Sequence, residues 1–155
     1  MARIDKEKLD GTDMKVAIIV SRFNESITTA LLDGAMACLV EQGVSEDDIQ
    51  VLTVPGAFEI PQLANRVAAV QEVDGILCLG AVIRGETPHF DYVCNEAARG
   101  CQFVSLTHGL PVSFGVLTTD TVEQAQARAG GAHGNKGEDC ALTLIEMVHL
   151  MAQLE

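Results

Sequence analysis

Positive charge is scarce in this chain. Ten lysines and arginines face 22 aspartates and glutamates, a formal net charge of −12 over 155 residues. Such an excess repels polyanions, which sets aside nucleic acids and anionic membrane surfaces as partners. An anionic substrate would need a local basic pocket working against the overall field. Long apolar runs are missing as well: none approaches the roughly 18–20 residues that a membrane-spanning helix needs. Residues 1–15 intersperse Arg3, Asp5, Lys6, Glu7, Lys8 and Asp10 with no apolar core, so no signal peptide is expected there. The five cysteines (Cys38, Cys78, Cys94, Cys101, Cys140) form no C-x-x-C, and the four histidines form no H-x-x-x-H. A metal site is therefore not expected, and reduced, buried thiols in a cytoplasmic protein are. Glu146 and His149 do make an E-x-x-H pair at helical spacing, but one pair without a second reads as helix surface. The glycine patterns that cradle phosphates, G-x-x-x-x-G-K-[ST] and G-x-G-x-x-G, do not occur. Internal repeats and interdomain linkers are also missing.

What remains is an alternation. Hydrophobic residues make up 48% of the chain, and they gather in β-branched runs at 15–20, 49–54, 76–79 and 112–117. Apolar residues bounded by turn signals on this scale read as buried strands. Between them lie helical patterns, from Asn24 to about Gln42, from Pro61 to about Gln71, from Asp91 to about Leu106 and from Thr121 to about Ala129. A last helix runs from Glu138 to about Gln153, after a glycine-rich link at 130–137. Asn24 and Thr87 read as N-caps, and Pro88 suits a first helical turn. Residues 1–14 read as an N-terminal arm or a short edge strand of one domain spanning 1–155. Strands alternating with helices predict a parallel sheet covered on both faces, a three-layer α/β/α fold. With right-handed crossovers, the expected topology is a four-stranded flavodoxin-like sheet of order 2-1-3-4. The last helix carries Leu142, Leu144, Ile145, Met147, Val148, Leu150 and Met151 around most of its circumference, which predicts burial against a second copy of the chain.

The predicted switch point between strands one and three puts two strand exits face to face. His89 falls in the first turn of a helix, where the positive end of the dipole favours the neutral imidazole, a form that can take or give a proton. Phe23, between Arg22 and Asn24, is expected to be an exposed ring able to stack on a flat heterocycle. The Ala57, Phe58, Glu59 turn lies beside them, and Glu59 can accept hydrogen bonds from polyol hydroxyls. The backbone of Ala81, Val82 and Ile83 can read a polar ring edge. Arg84, Arg128 and Lys136 are the cationic candidates for an anion. Arg128, far from His89 in this order, reads from spacing alone as a solvated helix charge; to serve the same site it would have to cross a subunit boundary.

The segments S-R-F-N at 21–24, V-P-G-A-F-E at 54–59, G-A-V-I-R-G-E-T-P-H-F-D-Y-V at 80–93, N-E-A-A at 95–98, F-G-V-L-T-T at 114–119 and G-N-K-G at 134–137 together resemble the 6,7-dimethyl-8-ribityllumazine synthase family. The resemblance runs in order from about Lys15 to the C-terminus. It implies a transferase of riboflavin biosynthesis that joins a ribitylaminouracil to a phosphorylated butanone without a cofactor. It implies that His89 carries protons and that Phe23 stacks on the pyrimidine. It assigns Ala57, Phe58, Glu59, Ala81, Val82 and Ile83 to the pyrimidine and ribityl chain, and Glu86 and Thr87 to the phosphorylated ketone. It assigns Phe114 and Arg128 to a neighbouring subunit, with Lys136 nearby. It further implies pentamers, here expected to close into an icosahedral 60-subunit shell because the 131–137 link carries no insertion, and an association with riboflavin synthase. One departure is visible: Ala132 and His133 stand where the family often has Lys and Ala, which removes a cation near the anion site. Three other readings compete: a flavin-binding module on the same fold, a shell protein with a decayed site, and a riboflavin synthase of the related pentameric type. The missing phosphate cradle counts against the first, and the retained set Phe23, Glu59, His89 and Arg128 against the second. A two-substrate assay separates the third.

Overall fold

The structure is a computed structural model describing residues 9–155. Its elements run β1 (Val16–Ser21), α1 (Glu25–Glu41), β2 (Ile49–Val54), α2 (Ile60–Val70), β3 (Gly75–Ile83), α3 (His89–His108), β4 (Val112–Thr119), α4 (Val122–Ala127), β5 (Ala129–Gly131), β6 (Gly134–Asn135) and α5 (Lys136–Ala152). The uninterrupted apolar runs form strands because both faces of the sheet are covered. Every residue of β1 is buried, as are the first seven of β3. The four long strands pair in parallel in the order β2-β1-β3-β4, the expected flavodoxin-like three-layer α/β/α arrangement. One apolar core lies under α1 and α5, built on Ile18, Leu31, Leu77, Leu144 and Ile145. The other lies under α2 and α3, built on Ile19, Ile60, Ile76, Ala97 and Val104. Burying two such faces is the main term that offsets chain entropy.

Four local expectations are corrected. The glycine-rich link is a two-stranded antiparallel hairpin, β5 with β6, with positive φ at Gly130 within β5 and at Gly134 at the start of β6, a conformation that costs glycine little. Residues 9–14 form no edge strand; they turn back so that Leu9 and Met14 are buried in the α1–α5 core. The rest of the expected arm, residues 1–8, lies outside the described residues. Asn24 does precede α1, but in a left-handed conformation with no side-chain cap bond; its amide donates instead to the Ala81 carbonyl at 2.9 Å. The residue preceding α3 is Pro88, not Thr87, whose hydroxyl accepts only a long 3.5 Å bond from the His89 N–H.

Candidate functional site

Parallel pairing brings the carboxyl ends of β1, β2 and β3 to one edge, and the loops leaving them build a cleft. Ser21 pairs with Val54 across β1 and β2, and Val20 with Leu79 across β1 and β3. After β1 the chain stays fastened to β2, since the Arg22 and Phe23 N–H groups donate to the Val54 and Pro55 carbonyls at 2.9 and 3.0 Å. The Asn24 tether then fixes the same corner to β3. The Phe23 ring is therefore held by backbone on both sides yet is 72% exposed.

The cleft is a cavity of about 370 Å³ lined by Phe23, Gly56, Ala57, Ala81, Val82, Ile83, Gly85, Thr87, His89, Phe90 and Val93. Phe23 and His89 come from different strand exits and meet across it, with the end of β3 as its floor. Of the residues named from sequence, Ala57, Ala81, Val82, Ile83 and Thr87 also line it. Phe58, Glu59 and Glu86 do not. Phe58 is half exposed, and Glu86 is exposed on the loop before α3. Glu59 is half-buried at the start of α2, with its carboxylate leaning toward Gly56 of the cleft wall.

Phe114, Arg128 and Lys136 line a second, larger and more polar cavity of about 940 Å³, together with Arg84, Asp91, Cys94, Asn95, Asp120, His133 and Asp139. The chain thus separates its aromatic-imidazole cleft from its cationic cavity, and Phe90 forms a wall of both. The hairpin sets the cationic side. The Lys136 N–H donates to the Arg128 carbonyl and the His133 N–H to the Ala127 carbonyl, each at 2.8 Å. Arg128 also donates through Nη1 to the Gln124 carbonyl at 2.9 Å. Among the described residues neither Arg128 nor Lys136 is in an ion pair, whereas Arg84 is paired with Asp120 and Asp91. The hydrogen bond to Asp120 raises Arg84 above its ordinary value. Partial burial, with the Asp91 carboxylate nearby, pushes the Cys94 thiol up, which disfavours the thiolate. All five thiols are free. Burial pushes Cys38 up to about 11. Among the described residues no group of three His, Cys, Asp or Glu is arranged to hold a metal ion, and no helix is long and apolar enough to cross a membrane.

The sequence reading missed the roles of three residues. Phe90 was hidden because its neighbour His89 carries the stronger chemical signal, and its place between two cavities depends on the pitch of α3. Asn24 looked like a cap because Asn before a helix usually is one. Gln124 forms a capping box with Thr121 at the start of α4; the T-x-x-Q spacing was there to be read.

An open parallel sheet with a cleft where strand order reverses defines a doubly wound α/β protein that handles a small ligand at the carboxyl ends of its strands. Comparison with models of known families narrows the class: the family described as 6,7-dimethyl-8-ribityllumazine synthase matches residues 13–152. The chain belongs to that family, which makes a lumazine for riboflavin biosynthesis.

Proposed function

We propose that this protein condenses 5-amino-6-(D-ribitylamino)uracil with 3,4-dihydroxy-2-butanone 4-phosphate to give 6,7-dimethyl-8-ribityllumazine, phosphate and water. The observation that carries the reading is the meeting of the Phe23 ring and the His89 imidazole across one cleft in a chain of this family. The exposed ring offers a stacking face for the pyrimidine. The β3 exit offers backbone groups to its polar edge. The substrate amine attacks the ketone and forms an imine with loss of water. Loss of a proton then expels phosphate, and the ribityl-bearing nitrogen closes the ring with loss of a second water. His89 shuttles the protons. The ionic cost falls on the departing phosphate, for which Arg128 and Lys136, in no ion pair among the described residues, are the cations.

Those cations lie in a different cavity of the same chain from His89. The reading therefore takes Phe114 and Arg128 from a neighbouring copy, which makes assembly a condition of activity. Exposed apolar side chains on α3 and α5, among them Tyr92, Phe103, Leu106 and Leu150, support association. The reading extends to pentamers closing into a 60-subunit shell, a cytoplasmic location and an association with riboflavin synthase. Most of the rate comes from holding two reactants together, with no cofactor. Mixing the purified protein with both substrates and following phosphate release alongside lumazine absorbance tests it. Equimolar appearance of the two is expected; phosphate without lumazine, or neither, overturns the reading.

A further inference from the structure

The tip of α3 that carries His89 is weakly anchored by its own helix. Of 20 residues in α3, the buried ones are Ala97, Cys101 and Val104, so the first two turns reach the site without a fully buried side chain. The loop before them, residues 84–88, is exposed throughout. Among the described residues the bonds near His89 are local: the long contact of its N–H to Thr87, and the Asp91 N–H to the Pro88 carbonyl at 3.0 Å.

Arg84 is where this tip is tied to the rest of the sheet. Its N–H donates to the Thr119 carbonyl at 2.9 Å, which binds the loop to the end of β4. Its Nε donates to Asp120 at 2.8 Å, just beyond that strand. Its Nη1 lies 3.5 Å from Asp91 in the first turn of α3. The guanidinium carbon lies over the Phe90 ring, 4.3 Å from its centroid. One side chain thus grips the two residues that follow His89 and holds them to a strand that is itself fixed in the core. An exposed ion pair alone contributes little, but a planar fork that also stacks on a ring fixes direction as well as distance.

We propose that Arg84 is the positioning residue for His89, acting by clamping Phe90 and Asp91 to the β4 exit. Its kinetic consequence rests on the proposed role of His89 in proton transfer. Arg84→Ala is expected to lower kcat by up to about 10²-fold, the cost of a misplacement of about 1 Å, and to leave the KM for the pyrimidine unchanged. Arg84→Lys keeps the charge but loses the fork, and is expected to behave like the alanine variant. In a His89→Ala background, Arg84→Ala is expected to cost nothing further. Hydrogen–deuterium exchange of the amides of residues 89–93 is expected to quicken in Arg84→Ala and, more mildly, in Asp120→Asn. Multiplicative losses in the double variant, full rescue by lysine, or unchanged exchange in that segment would each overturn the proposal. Were the wild type to make no lumazine, the functional reading would fail by itself and the exchange measurement would still decide the clamp.

Discussion

An imidazole on the first residue of a helix, facing an aromatic ring across a cleft, is a small amount of chemical machinery. His89→Ala should accordingly lower kcat by about 10²–10⁴, the usual contribution of a positioned acid–base group, and leave the KM values almost unchanged. Steady-state kinetics on both substrates checks this, and a far larger loss would mean that His89 does more than carry protons. Phe23→Ala should weaken pyrimidine binding by about 1–3 kcal/mol, the scale of base–aromatic stacking, whereas Phe23→Tyr should change it little; equilibrium titration with the pyrimidine reads the difference. Ala132→Lys places a cation in the β5–β6 turn between Arg128 and Lys136. It should lower the KM for the phosphorylated ketone by about two- to fivefold, an effect that fades with added salt, as exposed charge contacts do. The exposure of Phe23 was readable because Arg22 and Asn24 flank it. The bond from Asn24 to Ala81 was not, because its partner lies 57 positions away and only folding brings the two together.

Strands β1, β3 and β4 were legible because their apolar runs need a covered sheet to bury them, the largely exposed edge strand β2 because of its β-branched residues, and helices α1 to α3 because punctuation by Gly43, Pro61 and Pro88 is physically costly to ignore. The β5–β6 hairpin was not legible. Its glycines carry no side-chain pattern, and its pairing depends on backbone bonds such as that between Lys136 and Arg128. Asn135 ends this hairpin and starts α5. Its carboxamide oxygen accepts from the Gly137 and Glu138 N–H groups at 2.8 and 3.2 Å, and its nitrogen donates to the Ala30 carbonyl of α1 at 3.0 Å. Losing a cap and a part-buried tertiary bond together should cost about 1–3 kcal/mol. Asn135→Ala should therefore unfold at a lower temperature, measured at fixed protein concentration because assembly contributes to stability. Gly137 lets α1 and α5 touch: a Cβ there would collide with the Leu31 carbonyl. Gly137→Ala should push the helices apart and destabilise more than the asparagine change.

Each chain carries a cleft lined by a ring and an imidazole, and a separate cavity lined by Arg128 and Lys136, which are in no ion pair among the described residues; on the proposed function, each is half of a site shared with a neighbour. Light scattering should find a particle of shell mass, and a particle of pentamer mass would refute the closed shell. The sharing of sites is tested most directly by complementation. His89→Ala and Arg128→Ala chains, each nearly inactive alone, are unfolded together, reassembled in equal amounts and assayed for lumazine formation. If Arg128 serves the cleft of its neighbour, random assortment joins an intact cleft to an intact cation in about a quarter of the sites, and activity returns to about that fraction of wild type. If each chain supplied its own arginine, no intact site could form, and a mixture no more active than its two parents would contradict the account.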